Sequence, residues 1–137
     1  MIQQSENKIR KISVLSRRKD FLRIAAGRKK WVSNSMIVQV AKTTDTDGSA
    51  LRVGYTASKR VGNAVKRSRA KRRLREVVRR TLRDKGQRGH DYVVIARTAM
   101  LSASFDQLIR DFSWCLRRLN SVKEHNRGGK NPDQEPM

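Results

Sequence analysis

Residues 51–96 read LRVGYTASKRVGNAVKRSRAKRRLREVVRRTLRDKGQRGHDYVVIA, and three periodicities follow one another within them. Leu51, Val53, Tyr55 and Ala57 alternate with Arg52, Gly54, Thr56 and Ser58, the period-2 pattern of a half-buried strand. From about Asn63 to Asp84 the period lengthens, and Ala70, Leu74, Val77, Val78 and Thr81 form one narrow stripe at helical spacing. Gly86 and Gly89 break that helix. Tyr92-Val93-Val94-Ile95-Ala96 is then a short apolar run between breakers, which reads as a central buried strand. Strand, long helix, strand is a β-α-β passage, and if its strands are parallel the default crossover is right-handed.

Working outward, Met36 to Val40 is rich in β-branched residues and reads as a strand. The turn-rich stretch from Thr43 to Ser49 has a length that suits a hairpin-type connection to the strand at Leu51. A short helix precedes these, with Ser16 as N-cap, Phe21, Ile24 and Ala25 on one face, and Gly27 at C′. At the other end Phe105, Leu108, Ile109, Phe112, Leu116 and Leu119 mark an amphipathic helix that Ser102 or Ser104 can cap. Cys115 sits at the edge of that stripe and reads as a small buried hydrophobe. The order α-β-β-α-β-α predicts a single α+β domain over residues 14–120, with a sheet of three or four strands. A basic extension (1–13) precedes it, and a polar, Gly- and Pro-containing tail (121–137) is expected to be disordered.

The chain carries 33 Lys and Arg against 12 Asp and Glu, a formal charge of +21. Self-repulsion on that scale is tolerated most readily when a polyanion is the normal partner. No run approaches the ~18 apolar residues of a membrane span. The first 14 residues have no apolar stretch of the secretory type. A single Cys excludes an internal disulfide and points to a reducing compartment. A folded nucleic-acid binder remains, with RNA and DNA both open on composition alone.

The placement of the charge is more informative than its size. Fourteen Lys and Arg lie between Lys59 and Arg88, opposed by Glu76 and Asp84. At 100° per residue, Arg69, Arg72, Arg75, Arg79 and Arg83 share a broad arc opposite the apolar stripe. A merely solvated face would mix signs in i,i+4 pairs, whereas most pairs here are like-charged. Arg dominance favours bidentate phosphate contact. The entrance Lys59-Arg60-Val61-Gly62-Asn63 adds backbone N–H groups at a helix start, although alone it reads as an ordinary strand-to-helix turn. Acids are few and scattered, and neither His90 nor His125 has a partner at metal-ligand spacing, so a self-sufficient metal-dependent nuclease is not expected.

Leu51-Arg52-Val53-Gly54, followed by Ser58-Lys59-Arg60-Val61-Gly62-Asn63-Ala64-Val65-Lys66-Arg67-Ser68-Arg69-Ala70-Lys71-Arg72-Arg73-Leu74-Arg75-Glu76, closely resembles the signature of the bacterial ribonuclease P protein component. The resemblance extends from about Val14 to Leu119, taking in Lys19-Asp20-Phe21 and Asp91 to Arg97. It implies a compact α/β sandwich like the second domain of ribosomal protein S5, with the basic helix in an uncommon left-handed β-α-β crossover. It also implies a 1:1 partnership with a large catalytic RNA that holds the Mg2+ ions and removes the 5′ leader of precursor tRNA. The protein itself would bind no metal. A cytoplasmic location without membrane association is expected.

Carried over by motif position, Lys59, Arg60, Gly62, Asn63, Lys66, Arg67, Arg69, Lys71, Arg72 and Arg75 are assigned to RNA contact, and Phe21 to the border of a leader cleft. Phe21 reads equally well as a core residue. Three positions depart from the family pattern: Ser68 replaces the central Asn of the Arg-Asn-Arg triplet, Ala25 replaces an aromatic, and Gln39 stands where a strand Tyr is common. Both cleft changes reduce stacking; Trp31 offers a replacement, although a buried or loop-anchoring Trp fits it better. The competing reading is a structural RNA-binding protein of ribosomal type, which the contiguous run from Ser58 to Arg75 disfavours. A helix-turn-helix DNA binder would need a second short helix around a tight turn.

Overall fold

The structure, a computed structural model, describes residues 12–44 and 51–121. Its elements are β1 (Ile12–Val14), α1 (Arg18–Ala26), β2 (Lys30–Val32), β3 (Met36–Lys42), β4 (Leu51–Ala57), α2 (Ala64–Lys85), β5 (His90–Ala96) and α3 (Phe105–Ser121). Short 3-10 turns at Lys59–Val61 and Thr98–Ser102 lead into α2 and α3. One five-stranded sheet has the order β1-β4-β5-β3-β2.

The strand at the centre is the one whose sequence is most uniformly apolar. Tyr92, Val94 and Ala96 of β5 enter the main core with Leu74, Val77 and Val78 of α2 and Leu108, Phe112 and Leu116 of α3. Val93 points the other way, into a smaller cluster with Leu15 and Ile24, against which Phe21, Ala41 and Ile95 pack. Helices α2 and α3 therefore cover one face of the sheet and α1 part of the other, the mixed α+β domain expected. Because β4 and β5 pair in parallel, α2 is a true crossover.

Centring β5 overturns one expectation. No hairpin joins β3 to β4: β5 lies between them, antiparallel to β3 and parallel to β4. Turn-forming residues allow a reversal but do not select the pairing partner, and a strand apolar on both faces is best placed with neighbours on both edges. The sheet also has five strands rather than three or four, in the order β-α-β-β-β-α-β-α. The missed strands, β1 and β2, are three residues each, too short to display a period. β1 begins at Ile12, inside the segment read as an extension; residues 1–11, 45–50 and 122–137 lie outside those described.

The stripe of α2 behaves as its spacing demands. Ala70, Leu74, Val77, Val78 and Thr81 are all buried, joined by Leu82. Each larger apolar member contributes about 1.5–3 kcal/mol by leaving water. On α3, Cys115 is buried among core residues and Ser104 Oγ accepts from the Gln107 N–H at 3.0 Å, a working N-cap. The first helix differs in both its ends. The Leu15 N–H donates to Val53 O, so the chain around Ser16 is still extended and α1 begins at Arg18 with no side-chain cap. At its other end Gly27 is right-handed (φ −72°), and Arg28 takes the left-handed conformation (φ 56°). The last turn closes with short-span bonds from Gly27 N to Ile24 O and Arg28 N to Ala25 O, which displaces the reversal by one residue.

Candidate nucleic-acid interface

The path from β4 into α2 is built by the residues of the motif. Val61 is buried, which anchors the 3-10 turn, and Gly62 follows at φ 142°, a conformation that side chains resist. A Cβ there would also lie 2.6 Å from Lys66 Cδ. Asn63 is the N-cap: its Oδ1 accepts from the Lys66 N–H at 3.0 Å, a contact type worth ~1 kcal/mol. Arg67 Nη1 then donates to Gly62 O at 2.9 Å. Three of the ten assigned residues thus shape the entrance itself.

Beyond it the cations turn outward. Lys59, Arg60, Lys66, Arg69, Arg72 and Arg75 are exposed, while Arg67 and Lys71 are half-covered. Arg79 and Arg80 share Glu76, at 2.6 Å to Oε1 and 3.0 Å to Oε2. The Arg75 guanidinium stacks over the Tyr55 ring at 5.4 Å, and Arg80 over Phe105 at 5.1 Å. Arg73, flanking the row, faces inward and donates to Met100 O and Ala103 O, tying α2 to the turn before α3. Arg83 lies outside the described side chains.

On the opposite face of the sheet, α1 leaves a groove of about 390 Å3 lined by Arg18, Phe21, Ala25, Gln39, Tyr55, Thr56, Val93 and Ile95. Phe21 packs on the smaller core cluster and also walls the groove. Its ring lies so close to β4 that a Cβ on Gly54 would meet Phe21 Cζ at 2.5 Å, so glycine is what lets the aromatic rest on the sheet. Ala25 and Gln39, the departures from the aromatic pattern, both line this groove. Arg18, Tyr55, Thr56, Val93 and Ile95 were missed. Strand alternation assigns Thr56, Val93 and Ile95 to faces without revealing which face stays open, and it sets Tyr55 opposite its neighbour Thr56; Arg18 belongs to α1 and has no strand signal. Trp31 is not in the groove; it is buried, edge-on to Trp114 at 5.6 Å, with Arg118 stacked on both indoles.

Beside the groove Asp91 is fully buried and accepts from Arg23 Nη2 at 2.6 Å and from Arg52 Nε and Nη2 at 2.9 and 2.8 Å. Burial alone would raise the Asp91 carboxyl. Hydrogen bonds from Arg52, Arg23 and Thr43, with the Arg52 charge, outweigh that and hold it below the usual carboxylate range. This cluster ties α1 to β4 and β5. Burial pushes the Cys115 thiol up to about 12, so it is no nucleophile near neutrality. Among the described residues, no three His, Cys, Asp or Glu side chains gather where a metal could be held, and no helix is long and apolar enough to cross a membrane.

A small α+β domain with an arginine-rich crossover helix on one side and an open groove on the other has the layout of a nucleic-acid-binding subunit. The family model for Ribonuclease P matches residues 9–120. The ribonuclease P protein component of Ruegeria pomeroyi is 48% identical over 113 residues, covering 82% of this chain and 90% of that one. Its counterpart in Paramagnetospirillum magneticum is 43% identical, covering 80% and 84%. Among solved structures, the RNase P protein from Thermotoga maritima aligns at TM-score 0.64 and 28% identity over 77% of this chain and 96% of that one. The chain belongs to the ribonuclease P protein component family. It is the protein subunit of an endoribonuclease, partnered by the ribonuclease P RNA in processing the 5′ ends of tRNAs.

Proposed function

We propose that the outward face of α2 and its entrance, from Lys59 to Arg75, bind the RNA subunit, while the groove beside Phe21 holds the single-stranded 5′ leader of precursor tRNA. The observation that carries this reading is the placement of the two surfaces: the row on α2 and the groove beside α1 lie on opposite faces of the sheet and meet at Tyr55, which lines the groove and carries the Arg75 guanidinium. A guanidinium row favours the regular phosphate spacing of a folded RNA. A groove with one ring on its wall favours an extended strand, whose bases stack there at ~1–3 kcal/mol each. With Ala25 and Gln39 in place of aromatics, stacking in the groove falls largely to Phe21 and Tyr55, and Arg18 supplies a cation at its edge.

The protein's mechanistic share is binding and screening. Two polyanions must approach each other, and a subunit of charge +21 between them lowers that repulsion. In this reading hydrolysis and the Mg2+ ions that serve it belong to the RNA. The complex is 1:1 and works in the cytoplasm. Reconstitution of the full chain with the ribonuclease P RNA and precursor tRNA at low Mg2+ tests this. Stimulated removal of the leader, with affinity that falls as the leader is shortened, is expected. Equal affinity for leaderless and leader-bearing tRNA overturns the assignment of the groove.

A further inference from the structure

The flank of α2 that turns toward β1 is neither the outermost part of the charged row nor the buried stripe. There Arg75, Glu76 and Arg79 face Ile12 and Val14 across a groove of about 210 Å3, floored by Val78 and Tyr55. Two of its features are unexplained by packing. Val14 keeps 61% of its surface in solvent on an edge strand, where a polar residue would serve the fold equally well. Glu76 spends one hydrogen bond on each carboxylate oxygen, to Arg79 and to Arg80, and so retains acceptor capacity toward a further donor.

The volume is below the ~300–1,000 Å3 of a drug-sized site, a size for one planar ring system rather than a whole ligand. Its walls are an apolar side chain, a guanidinium already stacked on an aromatic ring, and a carboxylate. Sequence-specific RNA recognition uses such parts: an unstacked base lies on aromatic or Arg planes and its edge is read by hydrogen bonds. We propose that this groove receives one splayed-out base of the RNA subunit, stacked between Val14 and the Arg75–Tyr55 pair, with Glu76 accepting from its edge. Guanine matches best, because its N1–H and N2–H groups present adjacent donors to a carboxylate. The charge of the rim selects a polyanion as the source, since Arg75 and Arg79 continue the basic row and a second copy of a +21 chain would be repelled. The proposal rests on the reading of α2 as the RNA-contacting element.

The test uses the full chain with Val14→Cys, carrying a photoactivatable label and bound to the ribonuclease P RNA. Cys115 is buried, so the introduced thiol is the one that labels. Irradiation should crosslink a single guanine of the RNA subunit. Changing that guanine to adenine should weaken assembly about 10-fold with wild-type protein and have little effect with Glu76→Gln, which keeps shape and loses the carboxylate. Crosslinks scattered over many nucleotides, crosslinks to the tRNA leader, or an equal loss in both proteins overturn the proposal. If no crosslink forms while Arg69→Ala with Arg72→Ala still weakens assembly, the groove assignment fails and the role of α2 stands. If assembly ignores those two arginines as well, both fail.

Discussion

Arginine performs opposite tasks on the two sides of this sheet. Around Asp91, Arg23 and Arg52 converge on one buried carboxylate, with Arg23 also meeting Asp20 at 3.1 Å. Along the outward face of α2, Arg69 and Arg72 stand exposed among like charges. The first group is part of the scaffold: each cation there answers an acid that burial would otherwise penalise. The second is costly to the isolated fold and is explained by a partner outside the chain. Counting cations cannot separate these roles. The position of the nearest acid, and whether that acid is buried, does.

The largest expected effect comes from removing the acid. Asp91→Ala leaves two facing guanidiniums without their carboxylate and should cost about 3 kcal/mol in urea unfolding, the low end for a broken buried pair because both arginines are partly exposed. The pH dependence has a definite sign. Asp91 is held below its ordinary value of 3.8 in the folded chain, so its contribution is fully present above that value. It is lost as the pH falls from there through the depressed folded value, where the folded state must finally take up the proton. Wild type should therefore lose stability in that acid window, and Asp91→Ala should show a shallower loss. An equally steep loss in the variant would mean that Asp91 is not the group the fold answers.

How much of this could be read from residues alone follows from the same contrast. The stripe of α2, the pattern of α3 and the apolar run of β5 each lie in one contiguous window, and the structure buries every stripe residue named for α2. The guanidinium row is legible for the same reason, being the complement of that stripe. The groove draws on α1, β3, β4 and β5, so no window contains it, and its openness depends on which strands are neighbours. Strand order in turn is hidden, because a turn-rich connection between β3 and β4 resembles a hairpin until β5 competes for the place between them. The Asp91 cluster does have a signal in the sequence. An acid heading a buried strand in a chain this basic demands cations, and Arg52 is its register partner on β4.

A smaller effect of opposite sign should come from the end of α1. Arg28 holds a left-handed conformation while its neighbour Gly27 is right-handed, which reverses the usual placement of glycine at a helix end. A left-handed non-glycine residue costs roughly 1–2 kcal/mol. Arg28→Gly relieves that, offset by the greater freedom of glycine in the unfolded chain, and should stabilise the protein by about 0.5–1 kcal/mol. The denaturation midpoint measures it. A destabilised variant would show that the Arg28 side chain supports the fold and belongs with Arg23 and Arg52 rather than with the exposed row.

The smallest effect on stability is expected where the charge is densest. Arg69→Ala with Arg72→Ala removes no ion pair of the described structure, relieves like-charge repulsion at i,i+3 spacing, and introduces the best helix former. Unfolding free energy should therefore stay within about 0.5 kcal/mol of wild type or rise slightly. Binding to the ribonuclease P RNA should respond quite differently. Each phosphate neutralised releases counterions and contributes ~0.7–0.9 to the slope of log affinity against log salt, so losing two contacts should flatten that slope by about 1.5. Measured together, the two readouts separate what a single one would confuse. A variant that unfolds early and binds weakly has lost scaffold, as Asp91→Ala should. A variant of full stability with a flattened salt slope has lost only contact with the partner. If the double variant instead proves unstable, or keeps the wild-type slope, the row on α2 is not the surface on which the RNA sits, and the division of arginines between the two sides of the sheet breaks down.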